Sequence, residues 1–166
     1  MELKATPVAI SDDARGWLKT WARDFTEAEA VQPRSDPRAP NPLGWQLGHL
    51  ACVEDEVAPL FTTGEPGESL VEPVLRAVCA TGSAPPTADT RYPGVGELWR
   101  LLDRTHERLL KLVANAKGGD LDRGPRVPNP YFRSLGQAVY EAALHESYHV
   151  GEIGALRKSL GKPGIG

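Results

Sequence analysis

Apolar residues return every three or four positions along four stretches of this chain, the period of an amphipathic helix. In the first, Ala14, Trp17, Leu18, Trp21, Phe25 and Ala28 follow Ser11, with Asp12 and Asp13 in the opening turn. Ser11 reads as an N-cap, and the pattern predicts a helix to about Val31. Pro33, Pro37, Pro40 and Pro42 then break regular structure. Asn41 is the next N-cap candidate, with Pro42 at the first helical position. The second predicted helix covers Asn41 to Phe61, with Leu43, Leu47, Leu50 and Val57 as core positions and Trp45 and His49 on an adjoining stripe. Pro59 marks a kink or an early end. The third, Val95 to Ala116, carries Leu98, Leu101, Leu102, Leu109, Leu112 and Val113 beside Asp103, Arg104, Glu107, Arg108 and Lys111, and Gly118 and Gly119 end it. The last spans about residues 134 to 161, from a capping box at Ser134 to Arg157, Lys158 and Gly161. It would be about 40 Å long.

Between the second and third helices, Thr62 to Gly94 is rich in Gly, Pro, Thr and Glu. A short helix within Ser69 to Ala80, interrupted near Pro73, fits there, and the segment is a candidate lid. No strand pattern and no repeat occurs. The expectation is an all-α, single-domain four-helix bundle over residues 1–166, with a long excursion that lets the second and third helices run parallel.

Charge narrows the partners. The net charge is −3 with no block of Lys or Arg, so the phosphate neutralisation that nucleic acid demands is absent. No window approaches 18 uninterrupted apolar residues, and the N-terminus lacks a secretory pattern, which points away from membranes and to the cytoplasm. Cys52 and Cys79 are then expected to be reduced.

The chemistry lies in the last helix. His145-Glu146-Ser147-Tyr148-His149 satisfies H-E-x-x-H, in which two histidines hold zinc and the glutamate acts as a protease base. At a separation of four, the imidazoles stack on one helix face. A zincin also needs a downstream ligand, but Ala155 stands six residues past His149 and only 17 residues follow that histidine. A third ligand would come from upstream. His49 lies beside Leu47, Leu50 and Ala51, whereas His106 lies among Asp103, Arg104, Glu107 and Arg108, which reads as a solvated face. The plain alternative is a helix surface carrying two histidines, with Glu146 and Glu152 as solvent charges. Trp45 and Tyr148, each within a turn of a candidate ligand, either wall a substrate pocket or pack in the core. Cys52, one turn beyond His49, is within reach of the same point, although a buried free thiol is the commoner outcome.

Trp45-Gln-Leu-Gly-His49-Leu together with HESYHVGEIGALRKSLGKP resembles the DinB-like (damage-inducible, YfiT-type) superfamily over essentially the whole chain. The resemblance implies a four-helix bundle in which His49, His145 and His149 bind one divalent metal, zinc or nickel first among them. Where that family often reads HVGQI, this chain has Glu152, which would orient a ligand imidazole, ligate directly or remain solvated. Three imidazoles leave open coordination positions, the arrangement of catalytic sites. Relatives include metal-dependent transferases of low-molecular-weight thiols such as mycothiol or bacillithiol. The resemblance thus implies an enzyme that activates a thiol cosubstrate or water for transfer to, or hydrolysis of, a small electrophile, with Glu146 and Glu152 as candidate catalytic carboxylates. The alternatives are a non-catalytic metal- or ligand-binding bundle, a homodimer included, and a zincin-like peptidase.

Overall fold

The computed structural model describes residues 5–32, 39–62 and 68–165. Among them all regular structure is helical: α1 (Ala5–Ala22), α2 (Glu27–Ala30), α3 (Leu43–Thr62), α4 (Pro73–Cys79), α5 (Val95–Asn115), a 3₁₀ turn (Gly118–Asp122) and α6 (Leu135–Ser159). The protein is an all-α bundle built on the four long helices α1, α3, α5 and α6.

Local chemistry explains where the elements begin and end. α1 starts ahead of the predicted cap, with Pro7 in its first turn, where a missing N–H costs nothing, and Ser11 lies buried inside it. It also stops early. Thr26 opens the separate α2 through a capping box: its hydroxyl accepts from the Glu29 N–H, and the Glu29 carboxylate accepts from the Thr26 N–H at 2.8 Å. The apolar period alone runs straight through this T-x-x-E signal. At the other end of the chain Ser134 caps α6 by accepting from the Gln137 N–H, and a Schellman motif closes it: Lys162 N–H donates to Arg157 C=O, Gly161 N–H to Lys158 C=O, with Gly161 at φ +71°.

α3 continues through Pro59 to Thr62. Proline deprives the Asp55 carbonyl of its helical donor, and the Arg108 guanidinium of α5 supplies one instead at 2.7 Å. The buried Asp55 carboxylate meanwhile accepts from Ser69 Oγ (2.7 Å) and Leu70 N–H (3.0 Å) and pairs with Arg76 and Arg108. These contacts fasten the described part of the excursion to α3. Pro73 does not interrupt α4 but starts it, and Leu75 and Cys79 enter the core. Residues 69–79 of the excursion are therefore packed against the bundle.

Packing partners fix the helix directions. Along α3 and α5, Leu43 and Leu47 share a cluster with Leu98 and Leu102, Glu54 meets Thr105, and Val57 and Phe61 join Leu109 and Val113. The numbers rise together, so α3 and α5 are parallel. Along α1 and α6, Arg15 meets Glu146, and Arg157 bonds Trp21 C=O and Asp24, so these two are parallel as well. His49 and Gln46 face His145 and His149, whereas Phe61 packs with Leu135, so α3 and α6 are antiparallel. The two apolar clusters leave a belt of polar residues between them, on α1 at Arg15, on α3 at His49 and Glu54, on α5 at Thr105 and His106, and on α6 at Glu146 and His149.

Candidate metal centre

The polar belt contains two separate clusters, each able in donor number to hold a metal ion: His49, His145 and His149, and Glu54, His106 and Glu146. Neighbouring residues of one helix, His145 and Glu146, serve different clusters. A step of one residue turns the side chain by about 100°, which carries Glu146 off the histidine face.

In the first cluster the three imidazoles present Nε2 to one another. His145 Nε2 lies 3.3 Å from His49 Nε2 and 3.2 Å from His149 Nε2. The far sides of two rings are fixed. His49 Nδ1 is 2.8 Å from the Cys79 carbonyl, which can only accept, so Nδ1 carries the hydrogen and Nε2 its lone pair. His149 Nδ1 faces the Glu152 carboxylate at 2.9 Å and Gln46 Oε1 at 3.3 Å, both acceptors, with the same result. Gln46 is itself held by donation from Nε2 to Asn41 C=O at 2.8 Å. Two lone pairs thus converge on His145, whose single Nε2 can satisfy one of them at most. Burial holds His49 and His145 below the usual imidazole range, His145 down to about 4 with help from its two histidine neighbours. Hydrogen bonding from His149 keeps Glu152 below the ordinary carboxylate value. The site therefore gathers three imidazole nitrogens, with a carboxylate behind the ring of His149.

The donor set fits a divalent ion. Four-coordinate zinc with Zn–N of about 2.0–2.1 Å sets its ligand nitrogens about 3.3 Å apart, and the two measured separations are 3.3 and 3.2 Å. Trp45 lies flat on the His49 ring (centroids 4.6 Å, 11° between planes), and Tyr148 meets the His149 ring edge-on at 5.4 Å with most of its own surface exposed. Neither lines the roughly 820 Å³ cavity that reaches His145. Cys52 packs in the core outside the converging donors, and burial pushes its thiol up to about 12; both cysteines are free.

The second cluster already has its cation. Arg15 pairs with Glu146 through Nε, with Glu54 at 3.0 Å and with Asp103 at 3.2 Å. Burial alone would lower this guanidinium, but Glu54 and Glu146 outweigh it and raise it further. Glu54 also accepts from Thr105 Oγ1 at 2.9 Å and faces His106 Nδ1 at 2.9 Å. Burial raises Glu146, against the pull of Arg15. Two sequence readings need correction here. His106 is not on a solvated face; it lies 7% exposed, because it continues the Leu102, Thr105, Leu109 stripe and α3 brings Glu54 to meet it. Glu146, read as a solvent charge or as a base beside the histidines, is instead buried, paired with Arg15 and grouped with Glu54 and His106. Sequence reasoning missed Arg15 and Glu54. The i, i+4 relation of Leu102 to His106 was the available signal for the cluster.

No described helix is long and apolar enough to cross a membrane. The family model described as the DinB superfamily matches residues 12–153, from α1 through the histidine face of α6. A search of curated proteins finds no match.

Proposed function

The chain belongs to the DinB superfamily, and from that premise we propose that it is a metal-dependent enzyme in which His49, His145 and His149 hold one divalent ion, zinc or nickel, and a low-molecular-weight thiol or water is activated for attack on a small electrophile. The observation that supports this best is the pair of Nε2 separations, 3.3 and 3.2 Å, from His145 to two rings, His49 and His149, whose Nδ1 atoms face acceptors elsewhere. A bound divalent ion supplies Lewis acidity, lowering the pKa of a thiol or water that reaches it toward neutrality. The chain's own residues do the rest. Cys79 C=O and Glu152 fix the ring orientations of His49 and His149, and Glu152 makes His149 a stronger donor by accepting its Nδ1 hydrogen. Trp45 covers one face of His49 and keeps water from it. Glu152, about a quarter exposed at its side chain, is the carboxylate placed to take a proton near the site.

The test is metal content of purified protein, wild type against His49→Ala and His145→Ala, with Glu146→Gln as control. The two histidine variants lose the metal and the control keeps it; full metal in both histidine variants sinks the assignment. Consumption of a low-molecular-weight thiol with a model electrophile, dependent on added zinc or nickel, identifies a transferase. Metal binding with neither thiol transfer nor hydrolysis identifies a non-catalytic binding bundle.

A further inference from the structure

We infer that the cavity reaching His145 binds an apolar small molecule carrying a positive charge, such as a quaternary ammonium, and rejects anions. This rests on reading the histidine cluster as the reactive centre, because it gives that centre its electrophile.

The cavity measures about 820 Å³, within the range of small-molecule sites. α3 gives it an aliphatic wall at Val53, Val57 and Leu60, and the segment at 129–132 gives it an aromatic one at Tyr131 and Phe132. The aromatic wall is formed in advance. Asn129 Oδ1 accepts from the backbone N–H of Tyr131 (2.8 Å) and of Phe132 (3.0 Å), an Asx turn that sets both residues. Leu60 C=O accepts from Arg126 N–H at 2.8 Å, which ties the approach to this segment to α3. Phe132 packs on the apolar cluster of Val57, Phe61 and Leu135, whereas Tyr131 stands 72% exposed. An exposed aromatic ring contributes little to folding, and here it borders the cavity.

The charges of the lining are of one sign. Glu56 and Glu141 both border the cavity, and among the described residues no Lys or Arg does. Glu56 is paired with Arg76 Nη1 at 2.6 Å. Glu141, half-buried on α6 one turn before His145, has no cation beside it among the described residues. A half-buried carboxylate between apolar walls attracts a cation and repels an anion, and Tyr131 and Phe132 add ring faces suited to an ammonium group. A ligand whose charged end meets Glu141 would lie one helical turn from His145, with its apolar body against α3.

Three probes of equal length separate the possibilities: trimethyl(3-phenylpropyl)ammonium, 3-phenylpropanol and 3-phenylpropanesulfonate, chosen because none is a strong metal ligand. Binding to the full-length, zinc-loaded protein is followed by calorimetry and by amide shifts of residues 129–142. The ammonium binds tightest and the sulfonate weakest. Glu141→Gln removes about tenfold of the preference for the ammonium over the alcohol, the scale of one charge contact near a protein surface. Tyr131→Ala weakens both the ammonium and the alcohol while leaving metal content intact. Equal binding of sulfonate and ammonium, an unchanged preference in Glu141→Gln, or shifts confined to other residues overturns the inference. Metal content is measured on the same samples: loss of the ammonium preference with metal bound defeats the cavity assignment alone, whereas ammonium binding to protein that takes up no zinc defeats the metal reading alone.

Discussion

Two clusters of three potential ligands sit side by side in the polar belt, and they differ in one respect: the Glu54, His106, Glu146 cluster encloses the guanidinium of Arg15, whereas no Lys or Arg among the described residues pairs with the three histidines. Where the ligands are carboxylates, the fold supplies a positive charge from α1, because two buried anions without one would carry an uncompensated desolvation cost. Where they are imidazoles, which carry no obligatory charge, no such compensation is needed for folding, and the ring nitrogens stay directed at a shared point. Proximity of ligating side chains is thus common to a structural network and a metal site. What separates them is whether the protein already provides the opposing charge.

The largest expected effect breaks the network side. Arg15→Met leaves buried Glu146 without its cation and Glu54 with only Thr105 and His106, and destabilises the protein by about 3–5 kcal/mol in urea denaturation. Adding Glu54→Gln and Glu146→Gln recovers most of that loss. A loss below about 1 kcal/mol for Arg15→Met would mean that the network is not a charge-compensated unit.

On the histidine side the response is to metal instead. Zinc at a hundred times its Kd raises wild-type stability by about 2.7 kcal/mol, and His49→Ala abolishes that gain while Glu146→Gln retains it. Equal stabilisation of all three proteins by zinc would place the ion elsewhere. A smaller change probes the carboxylate behind the site: Glu152→Gln lowers zinc affinity by about 10–100-fold, or about 1.4–2.7 kcal/mol, by competition with a chromophoric chelator, leaving metal-free stability nearly unchanged. Unaltered affinity would make Glu152 a solvent charge.

The smallest effect lies outside both clusters and serves as their reference. Hydrogen bonding from Arg157 holds the partly exposed Asp24 carboxyl below its ordinary value. Its folded pKa is lowered, so its stabilisation is complete above the unfolded value of about 4 and disappears as pH falls through the folded value. Because the carboxylate is solvated, the contribution is below about 1 kcal/mol. Urea midpoints from pH 6 to pH 3 should fall further for wild type than for Asp24→Asn; identical slopes would remove Asp24 from the acid response.

Much of this was legible in the residue pattern. The 3.6-residue period located all four long helices, and His49, His145 and His149 stood out because each lies on or beside an apolar stripe at ligand spacing. The length of the excursion between α3 and α5 allowed their parallel course without requiring it. Other features escaped for identifiable reasons. The break at Thr26 is a capping signal inside an unbroken apolar period. His106 looked solvated because its neighbours in sequence are charged, although those neighbours point elsewhere around the helix and only the 102, 105, 109 stripe bears on its burial.

What the sequence by itself determined is local: helix periods, caps, and two histidines on one face of α6. Those depend on residues within a few positions of each other, which the chain places side by side without further folding. What the tertiary structure decided is which charge meets which. Arg15 reaches Glu146 across 131 positions, and His49 reaches His145 across 96. The H-E-x-x-H run is shared between two sites because adjacent helical residues face different partners, and only the packed helices determine that the histidines meet each other while the glutamate meets an arginine.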